Sequence, residues 1–363
     1  MLVKRLLVLL FLFVGVTRSG LTAELEVFPT DVDLRYATDL QRIVVVLHAP
    51  DESREVTSEI EFAIADANII SVSEEGIIRP RSNGNTTIQV KLGELRSELR
   101  VTVSDFEIEG PVSFELHIQP ILAARGCSTG ACHGKARGQN GFQLSLLGFD
   151  SEFDFNAVTR EARGRRIFPA SPQESLLLRK GAGHVPHGGG IRLPNDSDDY
   201  QTVLRWIEMG ASREIQDEPV LESVAIFPTD RVMVPMETQQ LVVLATYSDG
   251  TQRDVTGQSA FQSNESVVVG VSDQGVIKSG PIPGEATIMA RFMGAIATCR
   301  VLIPLAGDVP AQYYADLPRN NFIDDKVWDK LQLLGITASS PAVDSKIVRR
   351  LFIDIIGLSL IHI

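Results

Sequence analysis

Val72-Ser73-Glu74-Glu75-Gly76-Ile77-Ile78 returns 199 residues later as Val271-Ser272-Asp273-Gln274-Gly275-Val276-Ile277. The same offset joins Phe28-Pro29-Thr30 to Phe227-Pro228-Thr229, Arg54-Glu55-Val56-Thr57 to Arg253-Asp254-Val255-Thr256, and Phe62 to Phe261. It drifts only to 200 at Thr87-Ile88 and Thr287-Ile288, and to 201 at Gly93 and Gly294. An offset held over such a span is the mark of an internal repeat, which must be read before any single residue.

Each copy reads as all-β. Ile43–Leu47, Leu99–Val103, Leu241–Thr246 and Thr298–Ile303 are short runs rich in β-branched residues. Turn formers separate such runs: Asn83-Gly84, Ser248-Asp249-Gly250, Asp273-Gln274-Gly275 and Pro283-Gly284. Several strands within about 85 residues predict an Ig-like β-sandwich over 24–105 and again over 219–306. Cys299 stands in the second copy with no cysteine at the matching place in the first, so it is expected to be a buried free thiol.

A length of 363 residues is enough for two or three domains. The net charge of −12 argues against a nucleic-acid partner, because phosphate contacts need clustered Lys and Arg. At the start, Lys4-Arg5 precedes an unbroken apolar run from Leu6 to Val16. That run is shorter than the ~20 residues a spanning helix needs, so 1–23 is expected to be a secretory signal peptide that sends the chain to the periplasm or cell surface. An uncleaved membrane anchor is the alternative.

Chemistry concentrates between the two copies. Residues 117–187 hold two of the three cysteines and four of the six histidines. Within them stands Gly126-Cys127-Ser128-Thr129-Gly130-Ala131-Cys132-His133-Gly134. Two thiols near each other, with a histidine beside the second, form the pattern of covalent haem attachment. Here four residues separate the cysteines, where the usual motif has two. Apolar residues at helical spacing precede the motif (Phe114, Ile118, Ile121, Leu122), and Tyr200–Met209 places Val203, Trp206 and Ile207 on one face. Helix, attachment motif, loop and closing helix make the plan of a small, mainly α cytochrome-c-like domain over 112–216. In that plan His133 is the proximal ligand to haem c. His187 is the first candidate for the distal position, His184 the second and Met209 the third.

Other readings of these residues stay open: a Cys127–Cys132 disulfide, a zinc site from Cys127, Cys132, His184 and His187, or a structural turn. Arg163, Arg165 and Arg166 could pair with haem propionates or form a solvated basic turn. His117 is expected to be a packed or exposed histidine and not a ligand. No nucleophilic triad, phosphate loop or carboxylate pair stands out, so nothing in the chain announces an enzyme.

The second copy resembles the bacterial Ig-like group 2 family, through Tyr247-Ser248-Asp249-Gly250-Thr251, Asp254-Val255-Thr256 and Gly284-Glu285-Ala286-Thr287-Ile288; the first copy is similar but more divergent. The middle segment resembles the cytochrome-c-like domain of large planctomycete surface proteins. The matching residues are Cys132-His133-Gly134-Lys135, Gly138-Gln139-Asn140-Gly141-Phe142, Leu144–Asp150, Gly164-Arg165-Arg166, Pro186-His187-Gly188-Gly189 and Trp206-Ile207. In those proteins Ig-like repeats and C-terminal domains of unknown function accompany it. Asn321-Phe322-Ile323-Asp324 and Arg349–Gly357 are similar to the start of the first of those domains, so 319–357 is expected to be the truncated beginning of a helical domain and the chain a fragment. The resemblance implies an exported electron carrier with an unknown redox partner, held by Ig-like modules. The competing reading is a structural or adhesive surface protein, possessing a surface polymer or protein as partner, in which the Cys/His segment is only a staple.

Overall fold

The computed structural model describes residues 23–49, 52–307 and 309–357. The apolar N-terminal run, and with it nearly all of the expected signal peptide, lies outside the described residues. No helix among the described residues is long and apolar enough to cross a membrane.

The two repeats are β-sandwiches of identical topology. In the first, Val44–Ala49 pairs with Glu24–Phe28 and Glu52–Glu55. The opposing sheet runs Asp31–Leu34, Leu95–Val103, Gly84–Leu92, Glu61–Ile64, with the first pair parallel. A small third sheet joins Gln41–Arg42, Ile77–Pro80 and Ile70–Val72. The second copy repeats all three sheets, centred on Val242–Tyr247, Ala295–Ile303 and Val276–Ser279. Alternation fixes the register: Leu99, Val101 and Val103 are buried while Glu98, Arg100 and Thr102 face out.

The recurring residues serve the strand ladders. Gly76 turns at φ +76°, and a side chain there would meet the Ile43 carbonyl oxygen at 2.8 Å. That close approach lets the Ile43 N–H donate to the Gly76 carbonyl at 2.7 Å, as Leu241 does to Gly275 at 2.9 Å. The repeated threonine has a similar duty: Val45 N–H donates to Thr57 Oγ1 at 3.0 Å, and Val243 N–H to Thr256 Oγ1 at 2.9 Å. These pairs also show that the second copy is one residue out of step through the central strand, where the offset is 198. Cys299 is a fully buried free thiol in the second core, as expected.

The sandwiches pack on each other. Val45 and Val243 point into their own cores, whereas Val44, Val46, Val242 and Leu244 bury together between the copies. Phe28 and Phe227, equivalent residues of the repeat, stack there with ring centroids 4.1 Å apart. The polar contacts are reciprocal too. Arg42 N–H donates to Asp254 at 2.7 Å, and its counterpart Gln240 N–H donates to Glu55 at 2.5 Å. Arg231, buried, adds donations to Ser53. An interface that presents one patch twice is isologous, the arrangement of a twofold dimer; here it lies within one chain.

The intervening segment is helical. Phe114–Ile118 is a single wide turn leading into the helix Gln119–Ala124; Ser151–Thr159, Leu176–Gly181 and Asp198–Glu208 follow. Phe114, Ile118, Ile121, Leu122, Val203, Trp206 and Ile207 share one core with Leu144, Val158 and Leu178. The segment leans on both sandwiches: Arg79 pairs with Asp198 at 2.7 Å, Arg125 donates to the Gly257 carbonyl at 2.8 Å, and Leu116 joins the second sandwich's core. After the second sandwich come Ala311–Ala315, Phe322–Leu333 and Asp344–Ile356, the last two without buried residues.

Candidate functional site

The loop from Gly126 to Gly134 folds back on itself. Cys127 N–H continues the preceding helix by donating to Leu122, while His133 N–H donates to the Cys127 carbonyl at 3.0 Å and Cys132 N–H to Thr129 at 3.0 Å. The four intervening residues are therefore taken up by a hydrogen-bonded turn that ties the His133 backbone to that of Cys127. Both cysteines are half-buried free thiols. Burial, together with the neighbouring Cys132, pushes the Cys127 thiol up to about 11, so it stays protonated at neutral pH. Ser128, between them, has a buried hydroxyl with no partner among the described residues.

His133 and His187 come together. Their rings are parallel within 7° with centroids 6.3 Å apart. Each ring gives its Nδ1 to a backbone carbonyl, His133 to Phe142 and His187 to Gly190, both at 2.9 Å. A carbonyl can only accept, so each Nδ1 carries the proton and each Nε2 keeps its lone pair, which is how ligating histidines are oriented. Desolvation lowers the pKa of His133 despite that hydrogen bond, with His187 and Arg166 adding to the effect; the imidazole is neutral. The loop after His187 needs its glycines: a side chain at Gly189 would sit 2.9 Å from the His187 ring.

Other candidates fall elsewhere. His184 Nε2 is occupied by the Asn195 amide at 2.8 Å. Met209 stands exposed at the end of its helix. Arg166 is buried and structural, donating to the Ala157 carbonyl at 2.6 Å and the Gly141 carbonyl at 2.7 Å. Its guanidinium lies 4.4 Å over the Phe142 ring, which in turn packs against His133. Arg163 and Arg165 are exposed. His117 is half-buried, lies away from His133 and His187 on the wide turn Phe114–Ile118, and accepts the Ser113 N–H. The four residues of the zinc alternative are not gathered: among the described residues no group of three or more His, Cys, Asp or Glu is placed to hold a metal ion.

With Nδ1 of each ring tied to a carbonyl, His133 and His187 are the residues whose Nε2 would hold a haem iron, and Cys127 and Cys132 those whose thiols would hold the macrocycle. Leu146, Leu147, Phe168 and Ile191 are exposed apolar side chains of the same segment. The sequence missed Arg192, whose Nε donates to the Gly189 carbonyl at 2.8 Å and whose charge reaches Cys127. A lone arginine in a glycine-rich loop gives no signal of its own.

No protein-family profile matches the chain. A stretch of 74 residues is 35% identical to Ice-binding protein 1 of Shewanella frigidimarina; it covers 20% of this chain and 8% of the relative's length. Among solved structures, the S-layer protein SbsC (domains 5–6) overlaps 78% of this chain and 100% of its own at 12% identity and a TM-score of 0.32. The Yersinia pseudotuberculosis adhesin InvE overlaps 78% of this chain and 59% of its own, at 10% identity and a TM-score of 0.17. Overlaps that loose carry no argument beyond the sheets already described.

Proposed function

We propose that this chain belongs to an exported surface protein whose paired Ig-like sandwiches form a rigid architectural frame, and that the frame carries a c-type haem domain for electron transfer. The architectural half is supported by the reciprocal sandwich interface, by the apolar N-terminal run, and by the local likeness to a protein named for ice binding. The haem half rests on one observation: the parallel His133 and His187 rings, each with Nδ1 tied to a carbonyl and Nε2 left as a ligand. In this reading Cys127 and Cys132 would form the thioether links, and His133 and His187 would hold the iron. The haem would supply one-electron chemistry. Two imidazole ligands would set a lower reduction potential than a His–Met pair.

The second reading keeps the frame and drops the cofactor: a structural or adhesive surface module in which the Cys/His loop is only a staple. The likeness over 74 residues to a protein named for ice binding favours it. One experiment separates the two. The exported chain is produced with a haem-attachment system, denatured, and its pyridine haemochrome spectrum recorded. Covalent haem that survives His187→Ala but changes spin state supports the first reading. A colourless wild-type protein refutes it and leaves the structural one.

A further inference from the structure

Where the helical segment meets both sandwiches there is an open cleft of about 820 Å³, within the size range of small-ligand sites. Three nitrogen donors on its wall have no acceptor among the described residues. Arg205 uses Nη2 on the Gly110 carbonyl at 2.9 Å, but its buried Nε is unpartnered. Arg253 of the second sandwich lies 4.7 Å over the Tyr247 ring; its charge reaches Asp249, but its guanidinium hydrogen-bonds no acceptor among the described residues. His117 accepts the Ser113 N–H at Nδ1 (3.2 Å), so its proton sits on Nε2, which donates to nothing. The charges of Arg253 and Arg205 both reach this ring.

The nearby carboxylates are already engaged. Asp199 is held by Arg125, Asp254 by Arg42, and Asp249 by the Thr251 N–H and hydroxyl at 3.0 and 2.7 Å. Asp198 is paired with Arg79 and Asp39 accepts the Arg35 and Tyr36 N–H groups, and the remaining aspartates of the cleft, Asp33, Asp196, Asp217 and Asp273, hydrogen-bond none of the three donors. Partly buried N–H groups without acceptors are costly, and an acceptor that satisfies several at once is strongly favoured. From these contacts we propose that the cleft binds an oxyanion, a carboxylate or sulfate group, which Arg205, Arg253 and His117 hold from two domains together. This goes beyond the haem reading and does not depend on it.

Isothermal titration of the exported chain with sulfate, glucuronate, trigalacturonate and neutral maltotriose tests the assignment. Saturable binding of an acidic probe, weakening with added salt, is expected, with no binding of maltotriose. Arg253→Gln should weaken it about tenfold or more, and Arg253→Lys less, since only the fork is lost. Equal affinity for sulfate and trigalacturonate identifies a small-anion site; trigalacturonate at least about tenfold tighter identifies an acidic polysaccharide. The proposal fails if no acidic probe binds, or if Arg253→Gln binds as well as wild type while melting at the same temperature.

Discussion

The stack of Phe28 on Phe227 offers the sharpest test of the frame. Both rings are half-buried and face each other at 4.1 Å across the sandwich interface. Removing a fully buried phenyl costs about 3–5 kcal/mol, so each half-buried ring replaced by alanine should cost about 2 kcal/mol. The first substitution also takes away the partner's stacking surface, and aromatic pairs are worth about 0.5–1.5 kcal/mol beyond area. Phe28→Ala and Phe227→Ala together should therefore cost about 1 kcal/mol less than the sum of the singles. Urea unfolding followed by far-ultraviolet circular dichroism measures all four corners of the cycle. Phe62→Ala is the control, because Phe62 packs against its own core. Its effect should add to that of Phe227→Ala. Wild type should lose both sandwiches in one transition and the double variant in two, since the interface is what couples them. Additivity of the Phe28 and Phe227 singles within about 0.5 kcal/mol, with an unchanged transition, would refute a coupled frame.

Three further outcomes follow from individual residues. Burial raises the Asp154 carboxyl from 3.8 to about 6, against the Ser145 N–H and hydroxyl that donate to it. A carboxyl raised on folding holds its proton longer in the folded state, so stability falls as pH rises from about 4 to 6; Asp154→Asn should flatten a melting-temperature curve over that window. With its thiol near 11, Cys127 is about one part in a thousand thiolate at pH 8, and Cys299, pushed up to about 12, is also fully buried. Iodoacetamide labelling read by mass spectrometry should modify Cys132 first, Cys127 later and Cys299 only on unfolding; Cys299 labelled in the native protein would be inconsistent with its burial. Arg166→Lys cannot span two carbonyls and the Phe142 ring at once, and should destabilise the protein by about 2–3 kcal/mol in the same urea assay.

Much of this was legible in the sequence, because repeats and alternation are local signals. The words that recur, Gly76 with Gly275 and Thr57 with Thr256, are those whose chemistry the strand ladder uses. The helices at Gln119–Ala124 and Asp198–Glu208 followed from apolar spacing, although the wide turn at Phe114–Ile118 left no trace in that pattern. The approach of His187 to His133 was inferred from the order of loop and helix, not from any residue near either one. The sandwich interface was missed, yet its signal was present. Ile43–Leu47 and Leu241–Ala245 are unbroken apolar runs, and a strand apolar on both faces must be covered on both. The three-domain cleft had no signal at all, since Arg205, Arg253 and His117 are far apart in the chain and ordinary in type.

The interface also changes what the inserted segment does. If the copies were beads on a string, a hundred residues between them would set them apart. Instead the insertion closes on itself. Phe114 N–H donates to the Ser212 carbonyl at 3.1 Å, Ser113 hydrogen-bonds Glu218, and Arg213 pairs with Glu115 at 2.9 Å. With its two ends clasped, the segment lengthens the connection between the sandwiches without widening it. Loop closure grows only as about 1.5RT times the logarithm of length, roughly 0.6 kcal/mol per doubling. A folded insertion with joined ends costs less still, because its internal residues are already ordered. The reciprocal contacts at Asp254 and Glu55 can then form as they would between two chains, but without the concentration dependence of a dimer. The helical segment is thereby fixed against both copies at once, Asp198 to Arg79 of the first and Arg125 to the Gly257 carbonyl of the second. That double anchorage is what holds Arg205 and His117 opposite Arg253, so loosening the Phe28–Phe227 stack should weaken oxyanion binding in the cleft without touching any of its three donors.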